Sequence, residues 1–225
     1  MRLVVPPGVF RPRSDSWMLA NAVREHPRTP GGRVLDLCTG SGLVAVSAGL
    51  AGAGSVTAVD VSRRSTATAW LNGRLNGVAV RGVRGELFSA VVGQRFDLIA
   101  SNPPYIPAPP DAAASRAARA WDAGPDGRRL LDRICAEAGG LLAAGGSLLL
   151  VHSSLARLEA TTAACEGAGL HVEVLVRRRG ALGPIAAARA QWLVDQGVLD
   201  GRDGDEEVAV VQATLESRPA PAVAA

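Results

Sequence analysis

A glycine-containing segment between an apolar run and an apolar helix constrains the fold of this chain most strongly. Residues 33–37 form the apolar run, residues 38–42 contain Gly40 and Gly42, and residues 43–48 continue as an apolar helix. The glycines permit a tight turn and let a ligand approach the main chain, and the helix directs its first N–H groups to the same spot. This pattern predicts a strand, a turn and a helix, which open a βαβ unit.

The rest of the chain repeats this alternation. Further apolar runs follow, and stretches with helical periodicity separate most of them. The alternation predicts an α/β fold with a doubly wound, mostly parallel sheet of seven strands. In such sheets the ligand site lies at the carboxyl ends of the strands. We expect one domain over residues 1–216, followed by a disordered tail rich in Pro and Ala over residues 217–225.

Composition and charge restrict the class of protein further. The chain has 225 residues, 48% of them hydrophobic, and all 24 of its basic residues are arginine. The net charge of +3 allows an acidic or nucleic-acid partner without requiring one. The longest apolar stretch, residues 141–151, is too short to cross a bilayer, so we expect a cytoplasmic protein with no membrane partner. The three cysteines and three histidines lack metal-ligand spacing, so we expect no metal site.

Acidic residues follow the first three predicted strands. Asp36 ends the first strand and could receive an ammonium group, and Asp60, about 20 residues after the glycines, could bind the two hydroxyls of a ribose. Glu86 follows the third strand and could accept from an adenine amino group. Each could instead be a solvated loop acid. Together they favour a nucleoside with a positively charged tail, such as S-adenosylmethionine, over a dinucleotide, because an acid beside the turn disfavours a pyrophosphate.

The segment Ser101-Asn102-Pro103-Pro104-Tyr105 follows a fourth strand, residues 96–100. The prolines lack a backbone N–H, so the strand must end here, and the segment can accept hydrogen bonds but hardly donate them. The carbonyls of Asn102 and Pro103 and the Asn102 side-chain oxygen could bind a substrate –NH2 group, and Tyr105 offers a flat face to a planar group. The simpler interpretation is a proline-rich exit from a strand.

The glycine-containing segment, residues 34–42, and the segment of residues 101–105 together resemble the HemK-type protein-glutamine methyltransferases, a family of class I S-adenosylmethionine-dependent enzymes. The resemblance is to the short form without an N-terminal helical domain, and it covers roughly residues 9–215. It implies a Rossmann-like methyltransferase sheet with an antiparallel last strand. It also implies methylation of the glutamine in the Gly-Gly-Gln loop of a peptide chain release factor, S-adenosylhomocysteine as product, and a small activating subunit in some relatives.

The resemblance also implies roles for segments and single residues. Residues 1–30 would supply a segment that covers the cofactor and a helix capped by Ser14-Asp15-Ser16, and residues 102–127 would form the substrate loop. The residues expected to be catalytic are Asn102, Pro103 and Tyr105, and those expected to bind substrate are Asn102, Pro103, Pro104 and Tyr105. Those expected to bind the cofactor are Asp15, Ser16, Asp36, Cys38, Thr39, Gly40, Gly42, Asp60, Val61, Glu86, Leu87 and Asn102.

Three alternatives to protein-glutamine methylation remain open from the sequence. An adenine or guanine amino group flipped out of a nucleic acid would fit the same clamp. Nucleic acid is the less favoured partner, because the chain shows no added recognition domain, no strong basic stripe and few aromatic residues for stacking. The other two alternatives are a small-molecule amine as acceptor and a non-catalytic, cofactor-binding subunit of a larger complex.

Overall fold

The computed structural model describes residues 1–110, 121, 123–201 and 204–216. The predicted tail, residues 217–225, lies outside the described residues, as do residues 111–120 and 122 of the predicted substrate loop. The strands are β1 (Arg33–Leu37), β2 (Ser55–Asp60), β3 (Val80–Arg84), β4 (Phe96–Ser101), β5 (Leu142–Ser153), β6 (His171–Ala181) and β7 (Asp205–Thr214). The helices are α1 (Ser14–Glu25), α2 (Leu43–Leu50), α3 (Arg63–Leu75), α4 (Leu131–Ala138), α5 (Leu158–Gly167), α6 (Pro184–Ala187) and α7 (Ala190–Asp195).

The seven strands form one sheet in the order β3-β2-β1-β4-β5-β7-β6. The pairs among β1 to β5 are parallel, and β7 lies antiparallel to both β5 and β6. The predicted doubly wound, mostly parallel seven-stranded sheet with an antiparallel last strand is therefore confirmed. The helices within the described ranges include none with the length and apolar character needed to cross a membrane.

Apolar side chains fill both faces of the sheet. Val34 and Leu98 point to one face and pack with α1, α2 and α3. Leu35 and Ile99, the next residues along the same strands, point to the other face and pack with α4 and α5. This burial on both faces explains why the central strands appear in the sequence as continuous apolar runs.

The segments that flank β5 and β6 contain short helices. Helix α4 ends at Ala138, and β5 begins at Leu142. Between β6 and β7 the chain forms α6 and α7, and Arg189 between them donates from Nη1 to the Pro107 carbonyl at 2.9 Å.

Helix α1 begins at Ser14, one residue earlier than it would if Ser14 were its N-cap. Its N-cap is Arg13, and Ser14, Asp15 and Ser16 form the first turn. The prediction that Ser14 or Asp15 caps the helix is therefore wrong. The Ser16 hydroxyl accepts from the Arg13 N–H at 3.3 Å, and the Asp15 carboxylate turns to other partners, described below.

Candidate active site

A buried carboxylate holds the turn after β1. Asp36 is 2% exposed, and its Oδ2 accepts hydrogen bonds from Thr39 Oγ1 at 2.6 Å and from the Ala45 backbone N–H at 3.0 Å. Burial raises the pKa of Asp36 to about 7, and the two hydrogen bonds oppose this shift. Asp36 is predicted above to receive an ammonium group. The structure adds an internal role, in which this carboxylate fixes the start of α2.

The backbone N–H groups of the turn bind within the protein. The Thr39 N–H donates to the Val59 carbonyl at 3.1 Å, the Gly40 N–H to Asp60 Oδ2 at 3.1 Å, and the Gly42 N–H to the Thr39 carbonyl at 2.8 Å. These three N–H groups already have partners within the protein, and the expected cofactor contacts of the three residues stay predictions. Because their donors are already used, the turn is a poor cradle for a phosphate.

Gly42 is required by packing and by conformation. Its φ is +79°, and a Cβ built on it would lie 2.6 Å from the Ala69 Cα of α3. Gly42 therefore lets α2 approach α3, and its expected contact with a ligand stays a prediction. Gly40 has a φ of +53°, and its Cβ would make only an ordinary contact of 3.6 Å with Phe10. The positive φ is what favours glycine at this position.

Cys38 adopts the same left-handed conformation without being glycine. Its φ of +57° costs a residue with a Cβ about 1–2 kcal/mol. Burial and, to a smaller extent, the Asp60 charge raise the pKa of the Cys38 thiol to about 12, so the thiol stays protonated. Cys38 therefore lines the turn as a neutral side chain and is not a reactive thiolate.

Asp60 lies at the carboxyl end of β2, next to this turn. Besides the bond from Gly40, its Oδ1 accepts from the Ser62 N–H at 2.8 Å. Burial raises the pKa of Asp60, although both backbone hydrogen bonds favour the ionised form. Each carboxylate oxygen has a second lone pair, so Asp60 can still accept from two hydroxyl groups. Val61, the next residue, is 58% exposed.

Glu86 and Leu87 follow β3 and differ in their surroundings. The Glu86 carboxylate is exposed and forms an ion pair with Arg133 of α4. Leu87 is 4% exposed, has a φ of +46° and begins a short 3-10 helix that ends at Val91. The sequence offers no signal for the Arg133 partner, because 47 residues separate it from Glu86. The adenine contact assigned to Glu86 stays a prediction.

The N-terminal segment lies across the turn and is tied to it by one asparagine. The Asn72 side chain, buried in α3, donates from Nδ2 to the Val4 carbonyl at 2.9 Å and to the Ser41 carbonyl at 2.8 Å. Its Oδ1 accepts from the Val4 N–H at 2.8 Å. Farther along the segment, Phe10 contacts Gly40. The segment is thus fixed above the turn, where the predicted cofactor would lie.

Asn102 and Tyr105, at the end of β4, are held by the first turn of α1. Asn102 Nδ2 donates to Asp15 Oδ2 at 3.1 Å and to Ser16 Oγ at 3.0 Å. The Tyr105 hydroxyl donates to the same Asp15 oxygen at 2.9 Å. Asp15 and Ser16 are 7% and 5% exposed, so these bonds are shielded from water. The sequence assigned Asp15 and Ser16 to the cofactor and missed their contact with the clamp.

These contacts determine the orientation of the Asn102 amide. A carboxylate accepts hydrogen bonds and cannot donate them, so the Asn102 atom that faces Asp15 must be the –NH2 group. Both Asn102 N–H bonds are then used, and Oδ1 is left as an acceptor on the opposite side of the amide. Among the described contacts, neither this oxygen nor the Asn102 and Pro103 carbonyls accept a hydrogen bond. Three unused acceptors therefore lie within two residues.

A pocket of about 200 Å³ opens at this clamp. Its polar lining includes Arg13, Asp15, Asn102, Tyr105 and Glu206, and its apolar lining includes Phe10, Ile106, Trp121, Pro184, Ile185 and Val208. The volume lies below the roughly 300–1,000 Å³ of pockets for drug-sized ligands. The pocket therefore fits one planar side chain or base between apolar walls.

The wall of the pocket opposite the clamp comes from the segment between β6 and β7. The Gly183 N–H donates to Glu206 Oε1 at 2.8 Å, and Arg189 binds the Pro107 carbonyl as described above. On the near side, a Cβ at Gly127 would lie 2.4 Å from the Tyr105 carbonyl oxygen, so Gly127 packs directly against the clamp. The Arg189 side chain thus connects the two sides of the pocket.

Tyr105 and His152 share the interior behind the pocket. Their ring centroids are 6.5 Å apart with an angle of 59° between the planes. Burial, with the Asp15 charge, raises the pKa of Tyr105 well above its usual value, and burial lowers the pKa of His152 to about 4. Both side chains are therefore neutral near pH 7. Sequence reasoning assigns His152 no role, and the one signal for it is its place at the end of β5.

The comparisons with known proteins agree with this geometry. Residues 1–118 match the family described as "Methyltransferase small domain". A Methanocaldococcus jannaschii protein named as a protein N5-glutamine methyltransferase is 31% identical over 178 residues, which cover 79% of this chain and 88% of that protein. The chain belongs to the methyltransferase small domain family.

Two further similarities concern proteins that act in translation. A Deinococcus radiodurans release factor glutamine methyltransferase is 39% identical over 157 residues, covering 66% of this chain. The match spans 54%, about half, of that protein's own length. The E. cuniculi Mtq2–Trm112 complex, described as responsible for methylating the eRF1 translation termination factor, has the same fold with a TM-score of 0.63. The structural match has 20% sequence identity and covers 93% of this chain and 99% of that chain.

Proposed function

We propose that this methyltransferase transfers a methyl group from S-adenosylmethionine to the side-chain amide nitrogen of a protein glutamine. The first candidate acceptor is the Gly-Gly-Gln glutamine of a peptide chain release factor. The observation that carries this proposal is the orientation of Asn102, which Asp15 and Ser16 hold with its –NH2 group toward α1. The Asn102 side-chain oxygen is fixed beside two carbonyls that each precede a proline. These oxygens suit a methyl acceptor whose nitrogen carries two N–H groups.

The residues around the turn fit S-adenosylmethionine and do not fit a phosphorylated cofactor. The Thr39, Gly40 and Gly42 N–H groups are used internally, which disfavours phosphate, whereas Asp60 retains lone pairs for ribose hydroxyls. In the proposal, Asp60 binds the ribose and Phe10 covers the site. The bound cofactor supplies an electrophilic methyl group.

The protein's contribution to the reaction is positioning and charge stabilisation. An amide nitrogen is a weak nucleophile, because its lone pair is delocalised into the carbonyl. We infer that Asn102 Oδ1 and the Pro103 carbonyl accept the two N–H bonds, hold the nitrogen toward the donor and stabilise its developing positive charge. Preorganised groups of this kind contribute roughly 2.7–4 kcal/mol each to catalysis. Tyr105, neutral and bound to Asp15, would form a wall for the planar amide.

The test offers several classes of acceptor to the enzyme with methyl-labelled S-adenosylmethionine. Unmethylated release factors, ribosomal proteins, total RNA and DNA are each incubated with the wild type and with Asn102→Ala. The proposal predicts label in a protein and no label with the variant. Label in nucleic acid alone would replace the proposal with base methylation. If no acceptor is labelled although calorimetry shows cofactor binding, a small activating subunit, as in the Mtq2–Trm112 complex, is the next component to add.

A further inference from the structure

We propose that a second site, at the opposite end of the sheet from the clamp, binds single-stranded RNA. This site, which we call the basic groove, is lined by Arg33, Arg74, Arg81, Arg95 and Trp70 together with small and apolar residues of β2 and β3. The groove has a volume of about 650 Å³ and is open to solvent. The proposal goes beyond glutamine methylation and does not depend on it.

The charge of the basic groove is entirely positive. The residues that line it include four arginines and no aspartate or glutamate, although the chain as a whole has 24 basic and 21 acidic residues. Arg33 pairs with Asp97 at 3.3 Å, but Arg74, Arg81 and Arg95 take part in none of the ion pairs of the described residues. Three exposed guanidinium groups are therefore available to an anionic partner.

An exposed aromatic ring lies among these charges. Trp70 of α3 is 52% exposed, and the Arg74 guanidinium lies 5.9 Å from its ring centroid. An indole with one cation nearby and an accessible face is suited to stacking a base, and Arg adds a cation–π contribution.

The position of the basic groove separates it from the methyl-transfer site. Arg33, Ser55 and Val80 are the first residues of β1, β2 and β3, and Arg95 directly precedes β4. The groove thus lies at the amino ends of the same parallel strands whose carboxyl ends lead to Gly40 and the clamp. An RNA bound here would leave the clamp accessible.

The arrangement favours RNA over a small phosphate or an acidic peptide. The four guanidinium groups come from four separate elements spread along an open groove, whereas a single phosphate would engage only one or two of them. An acidic peptide would satisfy the charge but would not use the indole. A flexible single strand can place successive phosphates on the arginines and a base on Trp70.

The experiment measures fluorescence anisotropy of a labelled 12-nucleotide single-stranded RNA with the full chain at 50 and 200 mM salt. The groove variant carries Arg74→Gln, Arg81→Gln and Arg95→Gln. The control variant carries Arg177→Gln, Arg178→Gln and Arg179→Gln, the same change in net charge on the exposed strand β6. Calorimetric binding of S-adenosylmethionine, with circular dichroism, checks that both variants are folded.

For three or four phosphate contacts, the affinity of the wild type should fall about 20- to 50-fold between the two salt concentrations, from a slope of about −0.7 per contact. The groove variant should bind at least about tenfold more weakly than the wild type at 50 mM salt, and the control variant within about twofold. If the triple variant does not fold, Arg81→Gln alone should lower the slope by about 0.7. Trp70→Ala should weaken binding about fivefold or more.

Four results would overturn the proposal. Equal losses in the groove and control variants would mean that binding depends only on net charge. Displacement of the RNA by polyglutamate at equal charge concentration would indicate an acidic protein as the occupant, and displacement by millimolar inorganic phosphate would indicate a small anion. An unchanged affinity of Trp70→Ala would remove the stacking contact, which is the reason for choosing RNA.

Discussion

Replacing Asp15 tests how the clamp is oriented. Asp15 Oδ2 accepts from both Asn102 Nδ2 and the Tyr105 hydroxyl, at 3.1 and 2.9 Å. In Asp15→Ala both donors lose this acceptor, and the Ser16 hydroxyl, which can donate as well as accept, no longer determines the orientation of the Asn102 amide. A flipped amide would present its –NH2 group to the substrate –NH2 group, and two donors cannot bind each other.

The size of the effect follows from the bond that sets the orientation. A hydrogen bond to a charged group contributes about 1.5–3 kcal/mol, which corresponds to a bias of about 10- to 150-fold toward the productive orientation. Without this bias the two orientations would be about equally populated, so we expect Asp15→Ala to lower kcat by about twofold. Asn102→Ala, which removes the acceptor itself, should lower it by about 100- to 1,000-fold.

The assay compares kcat for a release factor with the calorimetric affinity for S-adenosylmethionine. Glu25→Ala is the matched control, because Glu25 is an exposed acid in the last turn of the same helix. Asp15→Ala should show the lower kcat and keep its affinity for the cofactor, and Glu25→Ala should change neither quantity. A variant that loses cofactor affinity and keeps kcat would show that Asp15 binds the cofactor, as the sequence suggested, and would refute the orienting role.

Three further predictions concern the turn and the interior. Asp60→Ala should weaken S-adenosylmethionine binding about 10-fold or more, since it removes hydrogen bonds to a charged group; an unchanged calorimetric Kd would contradict the ribose assignment. Gly42→Ala should lower the free energy of unfolding by about 2–5 kcal/mol, from backbone strain and overpacking against Ala69. Gly52→Ala has a similar φ of +87° but no atom within 4 Å, so an equal loss there would refute the packing argument. The pKa of His152 is lowered from 6.5 to about 4, so as the pH falls through this range the unfolded chain binds a proton that the folded chain does not, and the free energy of unfolding falls. His152→Gln should remove up to about 3 kcal/mol of that pH dependence in chemical denaturation, and parallel pH profiles would contradict it.

Local patterns were sufficient to predict the sheet, but not the role of each residue near the clamp. Apolar runs and glycine turns depend on neighbouring residues, so the strands and the position of the site could be derived from them. The contact of Asp15 with Asn102 joins residues 87 apart, and it depends on how α1 packs across the end of β4. Only the tertiary structure shows that the Asn102 amide is oriented by a carboxylate.

The roles of the glycines and of the basic groove were also inaccessible to pattern analysis. Gly42 was assigned to the ligand because glycine turns often bind one, whereas its Cα faces Ala69 of a helix that begins 21 residues later. The arginines of the basic groove are spread between positions 33 and 95, so no basic stripe is visible along the chain. Their clustering arises because parallel strands place their amino ends side by side.

The position of the transferred methyl group tests the central claim most directly. A release factor incubated with the wild type and S-adenosylmethionine would be digested and sequenced by tandem mass spectrometry. The account predicts a single added methyl group on a glutamine side-chain amide nitrogen, recognised by loss of methylamine from that residue, and its absence with Asn102→Ala. A methyl group on a carboxylate, a lysine or a nucleic-acid base, with every glutamine unmodified, would contradict the claim that the clamp holds an amide nitrogen.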